Sequence, residues 1–205
     1  MKLLRIAAPL LALLPAVAGA ATGNLIVNPG AETGDLSGWT DSGTGYSVNT
    51  TIPYSGAFAF QGGSNGPQGP YTNELYQDVD VSTFDAVIDG GGVGWSCSAW
   101  GRSNSAGGTT DWASLTVSLL NGAGGTLDTW NSGSIAPVNT WVPVAGGAVV
   151  PVGTRTIRVT LRSTRSVGAS SDGFHDDLSL TLDISTATPE SAQRSSWASV
   201  KGAYR

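Results

Sequence analysis

The sequence runs to 205 residues, with 10 basic against 15 acidic side chains, 12% charged residues and 29 glycines. An acidic chain with no Lys/Arg cluster is not built for nucleic acid, because gripping phosphates takes a basic footprint. One cysteine, Cys97, excludes an intrachain disulfide, and one histidine beside it excludes an ordinary zinc site.

Met1 to Ala20 is built like a secretory signal peptide: Lys2 and Arg5 open it, Ile6 to Leu14 is an apolar run, and Ala18-Gly19-Ala20 is a small-residue cleavage site. The run is too short to span a bilayer, which takes about 20 apolar residues. No cysteine follows it that would take a lipid anchor. Cleavage leaves 8 basic against 15 acidic residues, a net charge of −7. No second apolar stretch reaches membrane length, so the mature protein is expected to be soluble and secreted, extracellular or periplasmic, without stable membrane insertion.

From residue 21 on, period-two segments separated by Gly, Pro, Asn and Asp clusters replace any amphipathic helix of ten or more residues. The spacing predicts strands at 24–28, 45–50, 56–61, 73–80, 92–101, 112–120, 125–130, 140–145, 155–163 and 176–183, with loops at 62–70, 103–109 and 166–173. Many short strands with turns between them make a sandwich or a barrel. Residues 21–184 are read as that one domain, and 185–205, weakly periodic and rich in small polar residues, as a flexible extension. Thr188-Pro189-Glu190 is followed by polar residues, unlike a sorting signal with an apolar helix.

Alternation then sorts side chains by face. Val93, Trp95, Cys97 and Ala99 oppose Ser96, Ser98, Trp100 and Arg102. Ala113, Leu115, Val117 and Leu119 oppose Trp112, Ser114, Thr116 and Ser118. Ile157, Val159 and Leu161 oppose Arg158, Thr160 and Arg162. The apolar sets are assigned to the core, Cys97 with them as a small buried hydrophobe. The other sets are assigned to one outer sheet face holding Trp100, Trp112, Arg102, Arg158 and Arg162.

Hydrolase signals are poor. Gly62-Gly63-Ser64-Asn65-Gly66 fits G-x-S-x-G but lacks a strand–turn–helix setting. His175 reads as a partly exposed structural residue. Asp111, Asp128 and Asp172 lie near loops with nothing to pair them as a glycosidase needs.

The mature chain opens Asn24-Leu25-Ile26-Val27-Asn28-Pro29-Gly30-Ala31-Glu32-Thr33-Gly34, then Gly38-Trp39. It carries Tyr54-Ser55-Gly56-Ala57-Phe58-Ala59-Phe60 in the middle and closes Phe174-His175-Asp176-Asp177-Leu178-Ser179-Leu180. Together these resemble the galactose-binding-like superfamily, in particular secreted carbohydrate-binding modules, over about residues 24–183. The resemblance implies a jelly-roll β-sandwich with first and last strands adjacent, a glycan partner, and a structural calcium where those strands meet. It places the calcium ligands at Glu32 and, from the closing motif, Asp176 or Asp177, with Ser55 a further oxygen source. Parity puts Asp176 with Leu178 and Leu180 toward the seam between sheets and Asp177 outward. The alternative is that these side chains cap turns without metal. Trp39 and Trp141 look like core positions of that fold.

Flat aromatic faces suit the apolar side of a pyranose and polar groups suit its hydroxyls, so the Trp/Arg face reads as a non-catalytic glycan site. Tyr46, Tyr71 and Trp130 are weaker candidates on loops or rims. Two plainer readings compete: loop 62–70 covers the face, or Arg stacks on Trp as a structural pair. The rival function is a structural or adhesive component of the extracellular matrix or cell envelope.

Overall fold

The computed structural model describes residues 20–42, 45–63, 69–106 and 108–184. The expected signal peptide up to residue 19, most of the 62–70 loop and the 185–205 extension fall outside the described residues. Two antiparallel sheets face one another. The chain begins with β1 (Thr40–Asp41), β2 (Ser47–Asn49), β3 (Ala59–Gln61) and β4 (Tyr71–Asp80). A 3-10 turn (Ser82–Phe84) and a one-turn helix α1 (Asp85–Asp89) then lead into β5 (Gly94–Arg102). There follow β6 (Asn104–Ala106), β7 (Thr109–Asn121), β8 (Thr126–Asn131), β9 (Val142–Val149), β10 (Thr154–Arg165) and β11 (Phe174–Asp183). One sheet runs β1-β4-β10-β7-β6, with β8 sharing the β7 edge, and the other runs β2-β3-β11-β5-β9.

The alternation places the core as expected. Leu115, Val117 and Leu119 of β7 and Ile157, Val159 and Leu161 of β10 are buried against Trp95, Cys97, Leu178, Leu180 and Leu182 of the facing sheet. Each such side chain contributes on the order of 1.5–3 kcal/mol on burial. Trp39 closes one end, 8% exposed, its ring 5.1 Å from Phe60 and its Nε1 donating to Asn28 O. Tyr46, expected on a rim, is buried in the core. Trp130 is half-buried with its ring turned inward toward Trp95.

Two departures have clear causes. Residues 24–28 are not a strand, because side-chain amides take the place of a strand neighbour. Asn24 Nδ2 donates to Leu178 O while Asn24 Oδ1 accepts from Leu180 N, and Gln77 accepts from Val27 N and donates to Val27 O. The opening segment still lies along the closing strand: Leu25 N donates to Leu180 O, and Ala21 bridges Asp183. Residues 104–106, read as loop, form β6 by pairing with the start of β7.

Candidate functional site

The register puts the expected outer face on two different sheets. Trp100 and Arg102 belong to β5 in the five-stranded sheet; Trp112, Arg158 and Arg162 belong to β7 and β10 in the six-stranded one. Their outward sides point in opposite directions, so the single Trp/Arg face is corrected to two faces.

On the six-stranded sheet, directly opposed residues form rows across β4, β10 and β7: Thr72, Thr164, Trp112; Glu74, Arg162, Ser114; Tyr76, Thr160, Thr116; Asp78, Arg158, Ser118. Arg158 makes a bidentate contact with Asp78, Nε to Oδ1 at 2.6 Å and Nη2 to Oδ2 at 2.7 Å, and lies 4.1 Å over the Tyr76 ring. The Asp78 carboxylate holds the Arg158 guanidinium above its ordinary pKa, against partial desolvation. Arg162 Nε sits 2.9 Å from Glu74 Oε1, close but poorly aligned for a hydrogen bond. Thr116 and Thr160 point outward yet are only 5% and 6% exposed. The longer side chains beside them, Tyr76, Arg158, Arg162 and Asn131, leave these two hydroxyls little access to water. Tyr76 and Asn131 flank the pair in one row, and Asn131 Nδ2 donates to Thr116 Oγ1 at 2.6 Å. Glu74, Tyr76, Asp78 and Asn131 escaped the sequence reading, although the alternation in 72–79 carries the first three. The arginine-on-aromatic alternative is realised with Tyr76 rather than Trp.

On the five-stranded sheet, Trp100 is covered: the Tyr54 ring stacks on it at 3.9 Å and 14°. Tyr54, 39% exposed, also meets Trp141 edge-on at 5.9 Å, and Trp141 meets Phe174 at 6.5 Å. Trp141 is therefore half-buried on the outer surface rather than a core residue. Arg102 Nη1 donates to Asn139 O at 2.7 Å, bracing the β8–β9 connection. Tyr71, at the start of β4, lies under the Arg165 guanidinium at 5.2 Å.

The acidic residues of the opening and closing motifs each contact the 54–58 loop. Glu32 accepts from Ala57 N and Phe58 N, Asp176 Oδ2 from Tyr54 N and Ser55 N, and Asp177 Oδ1 from the Ser55 hydroxyl. Gly30 leaves the space between them, since a Cβ there would lie 2.9 Å from Asp176 Oδ1 and 3.6 Å from Asp177 Oδ1. Burial pushes the Asp176 carboxyl up to about 6 against three backbone N–H donors, with the Asp177 charge adding to the rise. The parity assignment of Asp176 is overturned. Asp176 opposes Trp100 and so lies on the outer face, because a bulge at Asp177 (φ 46°) interrupts the alternation before Leu178. Asp176 is buried there under the Tyr54–Ser55 loop. The carboxylates have oxygen lone pairs left for a hard cation. Among the described residues no three Asp, Glu, His or Cys side chains form a ligand set by themselves, so a calcium ion would also draw on the Ser55 hydroxyl and backbone carbonyls.

His175 is fully buried, not partly exposed. It faces inward opposite Gly101 and Phe60, with Nε2 on Ser114 O at 3.0 Å. Burial lowers it to about 4. Asp111 and Asp172 meet, contrary to expectation, but as a carboxylate accepting from a backbone N–H rather than as two acids across a cleft. Desolvation raises the Asp111 carboxyl.

No protein-family model matches the chain, and no curated protein matches it significantly. Solved structures do. A family 61 carbohydrate-binding module, TmCBM61, in complex with β-1,4-galactotriose superposes with a TM-score of 0.53 at 19% identity, over 78% of this chain and 98% of that one. This chain has the β-sandwich fold of carbohydrate-binding modules. The CBM22-1 xylan-binding domain from Paenibacillus barcinonensis matches at TM-score 0.52 and 19% identity, over 82% and 98% of the two chains. The enzymatically active domain of bacteriophage CBA120 tailspike protein 4 matches at TM-score 0.56 and 17% identity, over 77% of this chain, which spans only 21% of that one. Among the described residues no helix is long and apolar enough to cross a membrane.

Proposed function

We propose that this protein is a secreted, non-catalytic glycan-binding domain that holds a sugar chain in the recessed outer face of its six-stranded sheet. The observation that supports this most is the near-complete shielding of the outward Thr116 and Thr160, which we read as the floor of a trough between the longer Tyr76, Arg158, Arg162 and Asn131. Such a trough offers the Trp112 ring, a Tyr76 ring already covered on one face by Arg158, and a row of donors and acceptors between them. Arg158 and Arg162 are already oriented by Asp78 and Glu74, so little ordering entropy is lost when a hydroxyl binds. The likeness in fold to modules whose ligands are galactotriose and xylan supports a glycan partner by analogy only.

The test is titration with a panel of oligosaccharides that includes β-1,4-galactotriose and xylo-oligosaccharides. Interface hot spots are enriched in Trp and Arg and cost about 2 kcal/mol or more on truncation. Trp112→Ala and Arg162→Ala should each weaken binding about thirtyfold, since 1.4 kcal/mol is roughly a factor of ten. Absence of binding across a broad panel would put the structural or adhesive reading first.

The Glu32, Ser55, Asp176 and Asp177 cluster is proposed to hold a structural calcium. Its support is the pair of carboxylates, Asp176 and Asp177, beside Gly30, and the contacts that they and Glu32 make to the 54–58 loop through backbone N–H groups and a hydroxyl. A bound calcium would neutralise this charge and fasten the 54–58 loop to the closing strand. Chelator should then lower the melting temperature, and Glu32→Ala should remove that difference.

A further inference from the structure

Trp100 and Arg102 are separated from the trough by the thickness of the sandwich, yet their surroundings have the makings of a site. We propose that the outer face of the five-stranded sheet binds a second glycan chain, an uncharged one, so that a single domain bridges two chains. The proposal rests on the glycan-binding reading of the opposite face.

Three observations carry it. First, the partly exposed rings of Tyr54 and Trp141 are inclined at 63° to one another, backed by Trp100 and Phe174. Exposed rings clustered on a sheet are unusual, since surface apolar residues are ordinarily scattered. Second, the cluster is held in place. Tyr54 N and Ser55 N both donate to the buried Asp176 carboxylate, at 2.9 and 3.2 Å, which fixes the backbone that carries the ring, and stacking on Trp100 orients the ring itself. Third, a groove of about 410 Å³ lies on the same face, lined by Ser96, Ser98, Ser179, Thr181, Ala145 and Gly147 together with backbone at Cys97 and Gly146.

The register makes the rings and the groove continuous. Asp176, Trp100 and Pro143 form one row across β11, β5 and β9; Ser179, Ser98 and Ala145 form the next; Thr181, Ser96 and Gly147 follow. Two-residue steps along a strand are about 7 Å, so the rows from Trp100 to Ser96 extend about 14 Å beyond the rings. Among the described residues no charged side chain lines the groove beyond the Trp100 row, whereas the opposite face carries ion pairs. Hydroxyls with ring faces at one end and no counter-charge fit a neutral pyranose chain and give a carboxylated or sulfated one nothing to pair with. The two faces point away from each other, so one oligosaccharide cannot occupy both.

Isothermal titration with short β-1,4-linked oligosaccharides of galactose and of xylose tests this, alongside turbidity of the matching soluble polysaccharides. The expected result is two equivalents bound. Tyr54→Ala and Trp141→Ala should each remove one equivalent and Trp112→Ala the other. The wild type should cross-link polysaccharide into turbid aggregates, and every one of these variants should fail to. Trp141→Ala stands in if Tyr54→Ala does not fold, because Trp141 lies outside the acid-anchored loop. One equivalent, lost with Trp112→Ala and unmoved by Tyr54→Ala or Trp141→Ala, overturns the second site and leaves the first. One equivalent lost only with Tyr54→Ala or Trp141→Ala overturns bridging and the trough reading together. No binding of either sugar overturns both sites.

Discussion

Gly56 is the residue on which the acid-anchored loop turns, and Gly56→Ala measures how much that loop depends on Glu32. Gly56 has φ of +61°, and an added Cβ would lie 2.3 Å from Glu32 Oε1 and 2.6 Å from its Cδ. A side chain in the left-handed region costs about 1–2 kcal/mol. The methyl also displaces the carboxylate from Ala57 N and Phe58 N, and these solvent-exposed bonds together contribute about 1 kcal/mol, the ordinary net value of a hydrogen bond. The total is about 2–3 kcal/mol. At about 2–4 °C per kcal/mol for a domain of this size, the melting temperature should fall by about 4–12 °C in a calorimetric scan. The diagnostic is a double-mutant cycle with Glu32→Ala. If the clash with the carboxylate matters, Gly56→Ala on the Glu32→Ala background should show backbone strain alone, a coupling of about 1 kcal/mol. Strictly additive losses, or an unchanged melting temperature, would refute the idea that Glu32 ties the loop down.

Other expectations follow from groups inside the sandwich. His175 is held neutral, its folded value of about 4 lying below the 6.5 of an unfolded histidine. Protonation therefore favours the unfolded chain: this contribution is intact above about pH 6.5 and is lost as pH falls toward 4, by about 3 kcal/mol in total. Urea unfolding at pH 7 and pH 4.5 should show the loss, and His175→Gln should flatten this part of it. Gly146→Ala puts a methyl 2.3–2.6 Å from atoms of the Trp130 indole, an overpacking that should cost about 1–3 kcal/mol and be read as a lower denaturation midpoint. Burial pushes the Cys97 thiol up to about 12, so native protein should resist a thiol reagent that denatured protein consumes at once.

Much of the fold was legible because alternation is local. Whether Leu115, Val117 and Leu119 share a side depends only on the pleat of one strand, and so does the opposition of Trp100 to Cys97. Sheet membership is not local. It depends on which distant backbone a strand pairs with, and nothing in 93–102 or 112–119 records that β5 pairs with β11 while β7 pairs with β10. Trp100 and Trp112 therefore looked like neighbours until the register separated them. The same limit explains Asp176, whose face was inverted by one extra residue at Asp177 that no residue pattern announces. It also explains the opening segment, where Asn24 and Gln77 supply bonds that a strand partner would otherwise make. Tyr54 is the sharpest case: its segment carries part of the family resemblance, but its place on Trp100 depends on a carboxylate 122 positions away in the chain. The sequence by itself determined which side of each strand is apolar. Only the tertiary structure decided which outward side chains meet, because hydrogen-bonded pairing between distant strands is what brings them together.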